Sequence, residues 1–209
     1  MYLLIPAKPT WLAKQRLSSV LSAEERSHFT RCLLTTLLAT VHAGELNLHP
    51  ILLTSDPDLA AIAVPYGCTT LPDPPDADLN TVLENGRAYA IEQGAESLLI
   101  LPTDIPYLTP TALRTFVAHA QGTDPCVLIA PDREGMGTNA LLLRPAHAIP
   151  FRFGSGSAAR HRVEAQKSGI PVLEYRDPAF AQDIDIPDHY REMVNAKIEI
   201  KVRDREVCG

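Results

Sequence analysis

An isolated acid, Asp104, stands between Pro102 and Pro106 at the end of the apolar run Ser97–Leu101. If that run is a buried strand of an open α/β sheet, the carboxylate surfaces just past a strand's carboxyl end, where such sheets bind ligands. There it can hold a metal ion on a phosphate; a turn-forming Asp bonded to its own backbone is the plainer alternative. Two further acids, Asp183 and Asp185, flank Ile184. In an extended segment both carboxylates point to one face, about 6–7 Å apart, which suits one divalent ion or a pair of ions in phosphoryl chemistry. Before Pro187, the same pair could instead cap the final helix.

Positive charge is grouped upstream. Lys8, Lys14 and Arg16 occupy the segment 6–17 between the first expected strand and helix. That is the usual phosphate loop of a doubly wound sheet, but it lacks the glycines of a dinucleotide fingerprint or a Walker A loop. Side-chain cations would have to hold phosphates here, unless the three are simply a solvated face. Downstream, Gly154-Ser-Gly-Ser157 opens into a helical stretch bearing Arg160, His161 and Arg162. Glycines let backbone approach an anion, and a helix N-terminus offers N–H groups to a small phosphorylated acid; a flexible turn capped by Ser157 competes. Phe151 and Phe153 read as packing anchors, and His161 as structural, since an already ionised phosphate needs no general base. In Gly135-Met-Gly-Thr-Asn139, Thr138 and Asn139 can donate to an anionic oxygen, although a hairpin turn needs no ligand.

These residues need a scaffold. The 209 residues fit one domain with a core of useful size. Strand patterns near Tyr2–Ile5, Ile51–Thr54, Cys68–Leu71, Leu98–Leu101, Val127–Ala130, Ala140–Leu143 and Val172–Tyr175 alternate with helical ones, predicting a mainly parallel sheet with helices on its faces. Ser22-Ala-Glu-Glu25 is a capping box for the first helix, whose Phe29, Leu33, Leu37 and Val41 should face the sheet. Further helices are expected at Pro57–Val64, Leu79–Gln93, Pro110–Ala120, Ser157–Ser168 and Pro187–Asn195. The net charge of −6 argues against binding a nucleic-acid backbone. No secretory pattern or membrane-spanning apolar run is present, and the four separated cysteines read as reduced thiols, predicting a cytoplasmic location away from membranes. Nothing in the chain speaks to oligomeric state.

The segments IPAKPTWLAKQRLS, LPTDIPYLTP, APDREGMGTNALLLRP, FRFGSGSAARH and DIDIP, in this order, resemble the guanylyltransferases of deazaflavin coenzyme F-420 biosynthesis over roughly residues 3 to 190. That family comprises enzymes acting on 2-phospho-L-lactate, phosphoenolpyruvate and 3-phospho-D-glycerate. The resemblance implies an α/β nucleotidyltransferase fold of the glycosyltransferase-A type, a Rossmann-like three-layer sandwich around a mixed, mainly parallel sheet. It also implies GTP and a phosphorylated three-carbon acid as substrates, phosphoenolpyruvate first, with release of diphosphate. By the same resemblance Asp104, Asp183 and Asp185 ligate Mg²⁺, Lys8, Lys14 and Arg16 neutralise the triphosphate, and Thr138, Gly154 and Ser157 grip the acid. One departure stands out: Asp76-Ala-Asp78 replaces a glycine-rich stretch before Leu79-Asn80, bearing on the grip on guanine. The competing expectations are a nucleotide-sugar-dependent glycosyltransferase and a non-catalytic phospho-metabolite sensor. The domain should span 1–195, with a charged tail over 196–209.

Overall fold

The computed structural model describes residues 1–73 and 77–196; Asp76 and most of the expected tail, 197–209, lie outside the described residues. Each expected strand forms: β1 Tyr2–Pro6, β2 His49–Leu53, β3 Thr69–Leu71, β4 Leu98–Ile100, β5 Cys126–Pro131, β6 Thr138–Arg144 and β7 Val172–Glu174. The helices are α1 Ala23–Ala43, α2 Pro57–Ala63, α3 Leu79–Glu92, α4 Pro110–His119, α5 Ser157–Lys167, α6 Pro178–Ala181 and α7 Pro187–Asn195. The strands join in the order β3-β2-β1-β4-β6-β5-β7. All neighbours are parallel except β6, which runs antiparallel to both β4 and β5. The turn between β5 and β6 is too short for a crossover and so fixes that one reversal.

Helices cover both faces. Leu37 and Val41 of α1, Leu59 of α2, Phe116 of α4 and Phe180 of α6 pack on one side, Leu83 of α3 and Ala158 of α5 on the other. The expected face of α1 is therefore only half right. Phe29 and Leu33 pack not on the sheet but in a third cluster with Leu17, Ile184 and Met193 of α7. The capping box of α1 forms as expected, with Ser22 Oγ accepting from the Glu25 amide and the Glu25 carboxylate accepting from the Ser22 amide.

One irregularity in the sheet matters for function. Ala130 pairs with Ala140 but Pro131 pairs with Thr138, so Asn139 is an extra residue in β6. Such a bulge breaks the alternation of side chains and re-aims the residues beside it. Unbulged, Thr138 would share the face of Ala140 and Leu142, under α1 and α4; bulged, it turns toward α5.

Candidate active site

The acidic centre is built from three distant segments held by apolar residues between the charges. Leu17 adjoins Arg16, Ile184 separates Asp183 from Asp185, and both are buried in the third cluster. The Ile184 amide donates to the Asp104 carbonyl at 3.0 Å, clamping the downstream segment to the loop after β4. This answers the capping alternative: the N-cap position of α7 is Ile186, and neither Asp183 nor Asp185 caps the helix.

Lys14 closes the arrangement. Its Nζ lies 2.8 Å from Asp104 Oδ2 and 3.0 Å from Asp185 Oδ1, with Arg16 Nη1 3.8 Å from Asp185 Oδ2. Lys14 itself sits in the left-handed region at φ 51°, a conformation uncommon for a residue with a side chain. Burial pulls the ammonium pKa down, but Asp104 and Asp185 outweigh it and hold it above its ordinary value. For Asp185, burial is likewise outweighed, by Lys14 and then Arg16, and its carboxyl is held low. For half-buried Asp183, burial, then the charges of Asp104 and Asp185, push the carboxyl up against a smaller pull from His189. Among the described residues no three His, Cys, Asp or Glu side chains are arranged as a metal cage, the ammonium lying between two of the acids.

Asp104, Asp185, Lys8, Lys14 and Arg16 line one cleft of about 700 Å³, within the ordinary range for small-molecule sites. The loop carrying the cations is tied down by Asp56, a buried residue that the sequence motifs do not single out. Its carboxylate accepts from the Thr10 amide at 2.7 Å, the Thr10 hydroxyl at 2.8 Å and the Asp58 and Leu59 amides at the start of α2. Burial opposes ionisation of Asp56, but the bonds from Thr10, Asp58 and Leu59 outweigh it and hold its pKa below the usual range. A carboxylate with a lowered folded pKa stabilises above its unfolded value of about 3.9, and that stability is lost as pH falls through the folded value. Asp56→Asn should therefore cost about 2 kcal/mol at pH 7, with the gap from wild type closing below about pH 4 in urea titrations. A gap independent of pH would contradict the charge-based account.

The second group of expected residues lies at the start of α5. Thr138, Ser157 and His161 are all buried, and Ser157 Oγ and Thr138 Oγ1 are 3.0 Å apart. The amides of Ser157 and Ala158 are already spent on the carbonyls of Gly154 and Met136, so the helix N-terminus offers fewer free donors than expected. Gly154 has φ 110°, and a Cβ there would stand 3.2 Å from Arg160 Nη2. Arg160 is exposed and donates to the Phe153 carbonyl, keeping its cation beside the glycine loop. Asn139 departs from expectation: the bulge leaves it opposite Thr138, and its Nδ2 donates to the Phe180 carbonyl at 2.8 Å, which makes it a strut of the fold.

The segment leading into the glycine loop is tied to α3. Asn80 exchanges two hydrogen bonds with the Phe153 backbone, and Arg87 donates to the Ile149 carbonyl while stacking 3.9 Å over Phe151. Asp78 caps α3, accepting from the Asn80 and Thr81 amides. Since Asp78 and Leu79 line the large cleft, the first turn of α3 joins the two halves of the site. Asp132 is a second residue that the motifs do not single out. It accepts from the Met136 and Gly137 amides, each at 2.7 Å, and a Cβ on Gly137 would stand 2.5 Å from its Oδ2. An Asp just ahead of a glycine-rich turn is the signal that could have found it.

The family described as "Guanylyl transferase CofC like" matches residues 1–198. The chain belongs to that family. Its enzyme class is accordingly nucleotidyltransferase. Among CofC-like relatives, the phosphoenolpyruvate guanylyltransferase of Sphaerobacter thermophilus is 35% identical over 90% of both chains. The 3-phospho-D-glycerate guanylyltransferase of Colwellia psychrerythraea is 30% identical over 89% of this chain and 87% of its own. In fold, a nucleotidyl transferase from Methanothermobacter superposes with a TM-score of 0.67 at 14% identity, over 93% of this chain and 96% of that one. The CofC-like chain thus has the mixed-sheet nucleotidyltransferase architecture that its motifs imply.

Proposed function

We propose that this protein transfers the guanylyl group of GTP to a phosphorylated three-carbon acid, phosphoenolpyruvate first among them, in the assembly of coenzyme F-420. An oxygen of the acid's phosphate attacks the α-phosphorus, a new P–O–P linkage forms, and the bond to the β-phosphate breaks to release diphosphate. The observation that carries this reading is the buried Lys14 ammonium set between Asp104 and Asp185 in a cleft that also receives Lys8 and Arg16. Cations there neutralise the triphosphate and the leaving diphosphate, and no general base is needed. The names of the two curated relatives support guanylyl transfer to this class of acid.

The donor set fits a hard divalent cation. Asp104, Asp183 and Asp185 supply only carboxylate oxygens, the donor type that such ions take. Mg²⁺ held by these three would add charge neutralisation at the phosphates. Thr138 and Ser157, with the Gly154 backbone and the Arg160 cation nearby, would receive the anionic groups of the acid. Family membership weighs against the sugar-transferring and sensor alternatives. No described helix is long and apolar enough to cross a membrane, and Cys32, Cys68 and Cys126 are thiols rather than half-cystines, consistent with a cytoplasmic enzyme.

The test is diphosphate release with GTP and Mg²⁺, offering phosphoenolpyruvate, 2-phospho-L-lactate and 3-phospho-D-glycerate separately, with ATP and no-acid controls. Release that requires GTP and one acid is expected. Turnover of a nucleotide-sugar donor in place of GTP, with release of a nucleoside diphosphate, or no diphosphate with any acid from folded protein, would overturn the reading.

A further inference from the structure

The pair Thr138–Ser157 has a neighbour that the reaction as described does not use. His161, fully buried on the first turns of α5, places Nδ1 3.1 Å from Thr138 Oγ1, and its Nε2 lies 3.0 Å from the Arg152 backbone nitrogen. The Arg152 group is an amide, which can only donate, so Nε2 must carry a lone pair. The proton of the neutral ring is then on Nδ1 and points at Thr138. Neutrality itself is favoured: burial, then Arg160 and Arg152, against Glu164, lower the imidazole pKa to about 4.

The direction of this one bond decides how many hydroxyl protons the pair can offer a ligand. Thr138 and Ser157 hold one proton each, and one of the two is consumed in the bond between them. With His161 donating to Thr138, the other proton has no partner in the trio and is free for an anionic oxygen. With His161 accepting instead, Thr138 would give its proton to the ring and Ser157 its proton to Thr138. Only lone pairs would then face the ligand, and an anion would be repelled.

We propose that His161 is a positioning residue that, by donating from Nδ1 to Thr138, fixes the polarity of the Thr138–Ser157 pair so that one hydroxyl proton is kept for the anionic end of the acid substrate. This rests on the reading of Thr138 and Ser157 as the acid subsite. The arrangement depends on two long-range features: the bulge at Asn139 turns Thr138 toward the ring, and the pinned 151–156 loop brings the Arg152 amide to Nε2.

Two substitutions separate the two ring nitrogens. Asn at position 161 puts an amide group near the place of Nδ1 and can still donate to Thr138, but it loses the acceptor for Arg152. Gln reaches the place of Nε2 and can accept from Arg152, but it leaves Thr138 without its donor. His161→Gln leaves the spare proton in the pair but no longer fixes which hydroxyl carries it, so KM for the acid should rise about 5- to 10-fold, the net worth of one neutral hydrogen bond, with KM for GTP moving less than about twofold. His161→Asn keeps the donor to Thr138 and should raise the acid KM less than about twofold. Equal effects of Asn and Gln, or equal effects on both substrates, would reduce His161 to a packing residue. Should either variant fail to fold, ¹⁵N NMR of histidine-labelled wild-type protein reads the tautomer directly. A proton on Nδ1 is expected, and a proton on Nε2 would overturn the proposal. Failure of wild-type protein to turn over any acid would refute the proposed function instead, leaving the tautomer measurement to stand by itself.

Discussion

Asp104→Asn should lower kcat/KM for GTP-dependent diphosphate release by about 10²- to 10³-fold while leaving the fold in place. The substitution keeps the shape of the side chain and removes its charge. In the folded chain Lys14 would keep Asp185 at 3.0 Å, and the Ile184 amide would still donate to the backbone carbonyl of residue 104, so neither anchor of the loop depends on the carboxylate. Loss of one negative charge also relieves Asp183, whose carboxyl is pushed up by burial and then by Asp104. The thermal midpoint should therefore shift by only a few degrees, about what 1 kcal/mol moves a domain of this size. The loss falls on one of three carboxylates proposed to hold the cation that neutralises the phosphates, so the Mg²⁺ concentration for half-maximal rate should rise. Near-normal turnover at ordinary Mg²⁺ would remove Asp104 from the site. A collapsed fold would make its role structural.

Much of the scaffold is legible in the sequence because its signals are local. The seven strands are short runs of apolar and β-branched residues bounded by turn residues, and the first helix announces itself through Ser22 and Glu25. Such signals cannot give the partner of a face. Phe29 and Leu33 share the stripe of Leu37 and Val41, yet α1, at 21 residues, is about 32 Å long. A five-residue β1 spans only about half that length, so the first turns of α1 overhang the sheet and need a different cover. Leu17, Ile184 and Met193 supply it. The four-residue α6 is invisible to pattern reading because one turn has no period to detect.

The site divides in the same way. Asp104, Asp183 and Asp185 are visible from their places beside expected strand ends and prolines, but the ammonium that organises them comes from 90 and 171 residues away and leaves no local trace. Asn139 pairs with Thr138 in the sequence because both sit beside glycines before an apolar strand. The register shift that separates them is a property of the pairing with β5, not of β6 alone. The structural reading of His161 agrees with its burial; its bond to Thr138 emerges only once the bulge is known.

Lys14→Met should reduce turnover by about 10²- to 10³-fold and also make the folded protein more responsive to divalent metal than the wild type. The ammonium is only 10% exposed and bridges two carboxylates, and since its pKa is raised it keeps its charge across the whole neutral range. By linkage its stabilising contribution is fully present below the unfolded value of about 10.4 and fades only as pH rises through the higher folded value. Methionine fills the place of the aliphatic stem and supplies no charge, leaving Asp104, Asp183 and Asp185 to repel one another. Removing one partner of a buried pair costs about 3–5 kcal/mol, but Asp104 and Asp185 are 22% and 43% exposed, so water screens part of the loss. About 2 kcal/mol is the reasonable expectation, a fall in thermal midpoint of about 4–8 °C in the presence of a chelator. Added Mg²⁺ should recover most of that fall, because only the exposed Arg16, 3.8 Å from Asp185, then competes for the acids, whereas wild-type protein should gain less. Recovery of stability without recovery of turnover would separate the two duties of Lys14, balancing the acids in the empty cleft and meeting the phosphates of GTP in the filled one. A variant whose midpoint ignores both chelator and Mg²⁺ would show that the three carboxylates do not seek a cation at all.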